Sequence, residues 1–181
     1  AADATPEVQV ETHYGVPVTR SRGQLVLHPS RDELLATVTA IRDDGFIMCI
    51  DVTAVDYLED PVRDLPAGIT PERFEVVVVL LSHARCERIR LRVQVPEADP
   101  VVASLFDLSP GPEALDRETY DMFGISFDGH PDMTRILMPE DWEGHPLRKD
   151  YPMDPPPERE YRGYREIREI HEHDDEWRIR G

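Results

Sequence analysis

The segment FEVVVVLLSHARCERIRLRVQV, residues 74–95, decides how this chain folds. Phe74 to Leu81 is a dense β-branched and aliphatic run, which reads as a strand buried on both faces. Arg88 to Val95 alternates strictly between polar and aliphatic residues. Successive side chains of a strand point to opposite faces, so this second run is a half-exposed strand. Residues 83–87 form the turn that makes the two runs a hairpin. The alternation places Arg88, Arg90 and Arg92 on one face. Aligned arginines suit nucleic acid, but the chain holds 37 acids against 20 bases, a formal net charge of −17. Such a chain repels phosphate backbones. The stripe is then either a solvated face or a surface on which an acidic patch, of this chain or a partner, packs.

Upstream of the hairpin, residues 56–72 carry Pro61, Pro66, Gly68 and Pro71 and read as a long loop. Phe46 to Asp51 reads as a buried strand extending towards Val55. A helix precedes it: Leu34, Leu35, Val38 and Ile41 recur at helical spacing, and Asp43-Asp44-Gly45 ends it. Ser30-Arg31-Asp32-Glu33 has the form of a capping box, with Ser30 as N-cap and Glu33 reaching back. Gln24 to His28 is a short strand. Residues 1–23 show little periodicity and read as a loosely ordered lead-in. Downstream, Asp99-Pro100 has the form of a helix start, with Val101, Val102, Leu105 and Phe106 as the apolar face. After the Ser109–Pro112 break, a third helix runs to Phe123 and stops at Gly124. Arg117 and Asp121 lie four apart on it and are expected to pair.

The order strand, helix, strand, strand, strand, helix, helix implies an α+β domain over 24–124, a mixed sheet with helices on one side. Residues 125–152 then form an irregular loop segment, and 153–181 an extended C-terminal tail. The tail opens at Pro155-Pro156-Pro157 and mixes acids with arginine. That composition usually marks a solvated or disordered end, but its aromatic and arginine content favours a tail that orders on a partner.

Nineteen of the 20 bases are Arg, Lys149 being the one Lys. Two cysteines, Cys49 and Cys86, do not supply the four thiolates that an iron–sulfur cluster normally takes. The longest apolar run, Val76 to Leu81, is far short of the roughly 18–20 residues that span a bilayer. The acidic start lacks a hydrophobic region, so no secretory leader is expected.

The stretch DRETYDMFGISFDGHPDMTRILMPEDWEGHPLRKDYP, residues 116–152, gathers most of the unusual features. It contains Gly129-His130-Pro131 and Gly144-His145-Pro146, and each His-Pro step disfavours helix. Its residue types suit three chemistries unequally. A metal site from His130, Asp132 and His145 lacks the helical spacing that presents two imidazoles together. Acid–base catalysis by Asp116, Glu118, Asp121 and His130 lacks an accompanying nucleophile, phosphate loop or dinucleotide fingerprint. Paired charges between Pro-fixed turns make a rigid scaffold surface.

This stretch resembles the signature of the 30 kDa subunit family of respiratory complex I, the bacterial NADH-quinone oxidoreductase. The matching residues are Asp116-Arg117-Glu118, Tyr120 to Gly124, Gly129 to Asp132 with Arg135-Ile136-Leu137, and Gly144 to Pro152. Asp116, Ala114 and Thr134 depart from the family pattern. The resemblance implies a non-catalytic subunit of the hydrophilic arm, with FMN and iron–sulfur clusters in partner subunits and none in this chain. It implies neighbours that form the quinone site, no nucleic acid, no direct membrane insertion, and a place on the cytoplasmic face of a bacterial membrane. Asp116, Arg117, Glu118, Asp121, His130, Asp132, Arg135, His145, Arg148, Lys149 and Asp150 would then be interface and scaffold residues. The rival readings are the equivalent subunit of a complex-I-like membrane-bound hydrogenase and a free-standing acidic binding module.

Overall fold

A computed structural model describes residues 10–60 and 62–153. It divides the chain into two units, Ala1–Tyr151 and Pro152–Gly181. The second unit is described only at Pro152 and Met153, so the tail expectation lies almost wholly outside the described residues. In the first unit the strands are β1 (Thr12–His13), β2 (Val16–Ser21), β3 (Gln24–Leu27), β4 (Met48–Asp56), β5 (Phe74–Ser82), β6 (Glu87–Val95), β7 (Val101–Ala103) and β8 (Ser126–Asp128), and the helices are α1 (Leu34–Asp43) and α2 (Glu113–Phe123).

The hairpin is the centre of the sheet. β5 and β6 pair antiparallel along their whole length, from Phe74 opposite Val95 to Ser82 opposite Glu87. Six strands lie in the order β1-β2-β3-β6-β5-β4. Only the β3–β6 pair within this sheet is parallel, which makes it mixed. Phe74, Val76, Val78 and Leu80 of β5 share one core with Leu34, Val38 and Ile41 of α1 and Met122 and Phe123 of α2. This is the α+β sheet with helices on one side that the patterning implies. The other face of β5 is only half covered: Val77, Val79 and Leu81 are intermediate in exposure, not buried as the aliphatic run suggested.

That second face also resolves the arginine stripe. Arg92 donates to Glu75 across the hairpin at 2.6 Å. Arg63, from the long loop, lies over the Tyr57 ring at 3.9 Å and pairs with the same Glu75 at 3.7 Å. The stripe thus packs against an acid of its own chain at this end, while Arg88 stays exposed.

Further sequence expectations are overturned. Residues 12–21, read as part of a loose lead-in, form β1 and β2, with Val16 and Val18 in the core. The hairpin loops are Tyr14-Gly15 and Arg22-Gly23, and all four residues have positive φ. Two-residue loops of this kind match the strand twist, and glycine at the second position makes them accessible. The helix expected from Asp99 is instead the short strand β7, paired in parallel with β8. Asp99 caps no helix here, and its carboxylate accepts from Arg31 at 2.9 Å. Arg31 also takes the Asp99 and Val101 carbonyls, and the β-branched Val101-Val102 pair favours an extended path. β8 falls inside the segment read as irregular loop.

The capping box at α1 forms: Ser30 Oγ and N–H both donate to Glu33 Oε2, at 2.7 and 2.9 Å. Regular helix begins at Leu34 with Glu33, not Ser30, in the N-cap position, so the box precedes the helix proper by one turn. α2 packs on the edge strand β4, and Thr119 Oγ1 donates to the Val52 carbonyl at 3.3 Å. An otherwise open strand edge is covered in this way.

Candidate functional site

α2 presents Asp116, Thr119 and Asp121 on its buried side, beside Met122 and Phe123. Polar groups there need partners: Thr119 finds the Val52 and Leu115 carbonyls and Asp116 finds Ser104, while the signature segment supplies those of Asp121. Asp121 is fully buried. Its Oδ2 accepts the N–H groups of Ile136, Leu137 and Met138 at 3.1, 2.8 and 2.8 Å. Its Oδ1 accepts Arg135 Nη1 at 2.6 Å. Burial opposes ionisation, but the three N–H groups and Arg135 outweigh it and hold the carboxyl below the ordinary range. Arg135 goes on to the Gly144 carbonyl at 3.0 Å. One carboxylate therefore fixes both halves of the loop.

Arg117 does not pair with Asp121. It donates to the Thr134 carbonyl and hydroxyl and to the Arg135 carbonyl, at 3.0, 2.9 and 3.1 Å. Helical spacing placed both residues towards the loop, but Asp121 is saturated by the loop backbone and Arg135. Thr134 is an acceptor here, through both its carbonyl and its hydroxyl.

The two signature histidines are apart in role. His130 donates from Nε2 to the Glu113 carbonyl at 3.0 Å, and its Nδ1 accepts the Asp132 N–H at 3.1 Å. His145 donates from Nδ1 to the Asp121 carbonyl at 3.0 Å and stands edge-on to Tyr120. Each closes a turn onto α2. Among the described residues no group of three or more His, Cys, Asp or Glu side chains is placed to hold a metal ion.

Gly124 caps α2 with φ of +75°, and a Cβ there would stand 2.6 Å from the His145 ring. Gly124→Ala is expected to cost about 2–4 kcal/mol, from the left-handed backbone and the displaced imidazole together. Chemical denaturation of single and double variants checks this. Adding His145→Ala removes the clash, so the double variant should lose less than the sum of the two single losses.

Asp116 is also fully buried, but less well satisfied. Ser104 Oγ donates to its Oδ2 at 2.7 Å, and Oδ1 has no hydrogen-bond partner. Burial pushes the carboxyl up from 3.8 to about 6, against the opposing pull of Ser104 and nearby His130. The folded chain therefore binds this proton more tightly than the unfolded chain. The resulting stability is present in acid and lost as pH rises through about 6. Between pH 5 and 8 the loss is about 1.4 kcal/mol. Urea titrations of wild type and Asp116→Asn across this range should differ by that slope, and equal slopes would count against it.

The far end of the signature is fastened to the strand ends. Asp56 closes β4, and Arg73 immediately precedes β5. Arg73 donates to Asp56 through Nε and Nη2 at 3.1 and 2.9 Å. Asp56 also accepts the N–H groups of Leu58 and Lys149 at 3.0 and 2.9 Å. Arg73 further engages Asp150 at 2.9 Å, and Glu97. Arg148 pairs with Asp150 at 3.1 Å and lies over the Phe74 ring at 5.2 Å. The side chains of Glu118, Asp132 and Lys149 belong to exposed residues.

The structure thus gathers Asp121, Arg135, Arg117 and His145 at one end of α2, Asp116 and His130 near its other end, and Arg148 and Asp150 at the strand ends. Asp56, Arg73 and Glu97 lie outside the signature, and sequence reasoning missed them. Asp56 did leave a signal: it follows Val52 and Ala54 in the inward phase of its strand.

The sequence pattern of the respiratory-chain NADH dehydrogenase 30 kDa subunit matches residues 27–157. An NADH-quinone oxidoreductase subunit of Mycolicibacterium smegmatis is 44% identical over 83% of this chain and 62% of its own length. Its counterpart from a Nocardioides species is 46% identical over 78% of this chain and 54% of its own. The chain therefore spans little more than half the length of these relatives. A solved trypsin-resistant fragment (1-134) of Nqo5 is 35% identical, with a TM-score of 0.58 over 65% of this chain and 89% of the fragment. An archaeal membrane-bound sulfane sulfur reductase shares the fold, with a TM-score of 0.63 at 20% identity over 76% of this chain and 78% of its own. The signature, the fold and these similarities agree: the chain belongs to the 30 kDa subunit family of the respiratory-chain NADH dehydrogenase.

Proposed function

We propose that this chain is a non-catalytic structural subunit of the peripheral arm of a proton-translocating NADH-quinone oxidoreductase. Electrons pass in that complex from NADH through FMN and iron–sulfur clusters to quinone, coupled to proton translocation, and partner subunits carry those groups. The family match over residues 27–157 carries the reading. The bonding of the signature supports it, since Asp121, Arg135, Arg117 and both signature histidines are bound to the chain's own backbone and side chains. Groups so committed make a braced surface, which is what a scaffold role requires. The signature residues act as scaffold, and neighbouring hydrophilic-arm subunits, including those of the quinone site, are its partners.

We place the chain on the cytoplasmic face of the membrane, held by those partners. No described helix is long and apolar enough to cross a bilayer, which agrees with peripheral attachment. Affinity purification of the tagged chain from its host membrane tests the whole reading. The expected result is co-purification with flavin, iron–sulfur absorption and NADH oxidation, while the pure chain is colourless and inactive towards NADH. Elution of the membrane-extracted chain alone, near 20.8 kDa, would overturn it.

A further inference from the structure

Asp116 and Asp121 of the signature are buried and Arg117 and Arg135 are bonded within the chain, whereas three of its aliphatic groups are exposed. Ile136, Leu137 and Leu147 are 41%, 56% and 53% exposed. Scattered exposed aliphatics are ordinary on any surface. These three are held together by their backbone: Ile136 and Leu137 donate to the Asp121 carboxylate, and Leu147 N–H donates to the Met122 carbonyl at 3.0 Å. They hang from consecutive residues of α2, so their positions are fixed before any partner arrives. Such preorganisation lowers the ordering cost of association.

The connection between them carries Glu140 and Glu143, both exposed, and Glu118 is exposed one helical turn before Met122. Arg135, beside Ile136, is committed to Asp121 and the Gly144 carbonyl, and Arg148, beside Leu147, pairs with Asp150, while Lys149 is exposed. Three exposed acids, Glu118, Glu140 and Glu143, against one exposed base, Lys149, leave the border of the apolar knob predominantly acidic. A second copy of the chain would bring like charge to like charge, at a net −17 each, and an anionic lipid surface would be repelled in the same way.

Resting on the proposed function, we infer that Ile136, Leu137 and Leu147 form the docking knob of this subunit. Its occupant is another polypeptide that presents an apolar groove bordered by Lys or Arg. The signature charges hold the knob in place, and the aliphatic side chains make the contact.

The test replaces the chain in its host by Leu137→Asp/Leu147→Asp, and separately by Glu140→Lys/Glu143→Lys. Recovery in the purified complex is measured beside the melting of the isolated full chain. The aspartate variant should melt within about 2 °C of wild type, as exposed substitutions do, while recovery falls at least about tenfold. The lysine variant should lose recovery at low salt, with the gap narrowing as salt screens the rim. Normal recovery of the aspartate variant overturns the inference while leaving the subunit reading intact. A large fall in melting temperature of the isolated variant also overturns it, because the groups are then covered by the chain itself. A wild-type dimer that the aspartate variant dissolves assigns the surface to a second copy and overturns it too. Absence of the wild-type chain from the complex defeats the functional reading, and the docking knob with it.

Discussion

Asp121→Ala is expected to free the signature loop and to lower stability by about 3–5 kcal/mol. The carboxylate is fully buried and accepts four hydrogen bonds, three from consecutive backbone N–H groups and one from Arg135. Its removal leaves Arg135 facing an apolar methyl and the three N–H groups without an acceptor. Breaking a buried pair from one side carries a cost of that size, because a charge is left uncompensated. In a chain of this length the melting temperature should fall by about 10 °C. Hydrogen exchange gives the sharper reading: the Ile136, Leu137 and Met138 amides should lose at least about a hundredfold of protection. Asp121→Asn keeps one oxygen for the three amides but sets an amide nitrogen against Arg135, and should fall between the two. A variant that melts with wild type and protects those amides would show that the loop is held by something other than this carboxylate.

The sheet was legible because its periods are clean. Strict alternation in residues 88–95 and the aliphatic run at 76–81 could only be strands, and the capping box at Ser30 named the start of a helix. What escaped was set by tertiary context. Val101-Val102 lies within a helix-like apolar spacing, but the segment pairs with β8, and its contacts with Arg31 come from about 70 residues away in sequence. The early hairpins are too short for a periodicity window, although Tyr14-Gly15 and Arg22-Gly23 are turn signals when read as pairs.

The candidate site was legible in a different sense. Its residues stood out by motif, but their partners did not. Helical spacing joined Arg117 to Asp121, yet it carries no information about a loop that returns 14 to 18 residues later to claim both. A charged residue in the inward phase of an amphipathic element is the usable clue. Asp116 and Asp121 on α2 and Asp56 on β4 all satisfy it, and all three are buried polar anchors. Phase, more than charge, separates scaffold from surface here: Glu118 shares a helix with Asp121 and is exposed.

The same logic makes Arg73 the second large target, although the motif does not contain it. Its side chain is 7% exposed and faces three carboxylates: Asp56, itself at 0%, and the more open Glu97 and Asp150. Arg73→Ala is expected to cost about 3–5 kcal/mol at neutral pH, since Asp56 stays buried and its remaining donors are two N–H groups. The loss should depend on pH in a definite direction. Burial works against ionised Asp56, but Arg73 and the N–H groups overcome it, and Arg73 with Arg148 holds Asp150 well below the ordinary carboxylate range. Groups lowered in this way stabilise the fold above their unfolded values, near pH 4, and the contribution disappears as pH falls through the folded values. Without Arg73 the lowering is largely gone, so the gap between wild type and variant should be widest at pH 7 and shrink towards pH 3. Arg73→Lys keeps the charge but cannot make the paired bonds to Asp56 while also reaching Asp150, and should recover only part of the loss. Denaturant titrations of the three proteins at both pH values read this directly. A gap that stays constant with pH would mean that Arg73 acts by packing over Phe74, 4.8 Å away, and not by neutralising the carboxylates around it.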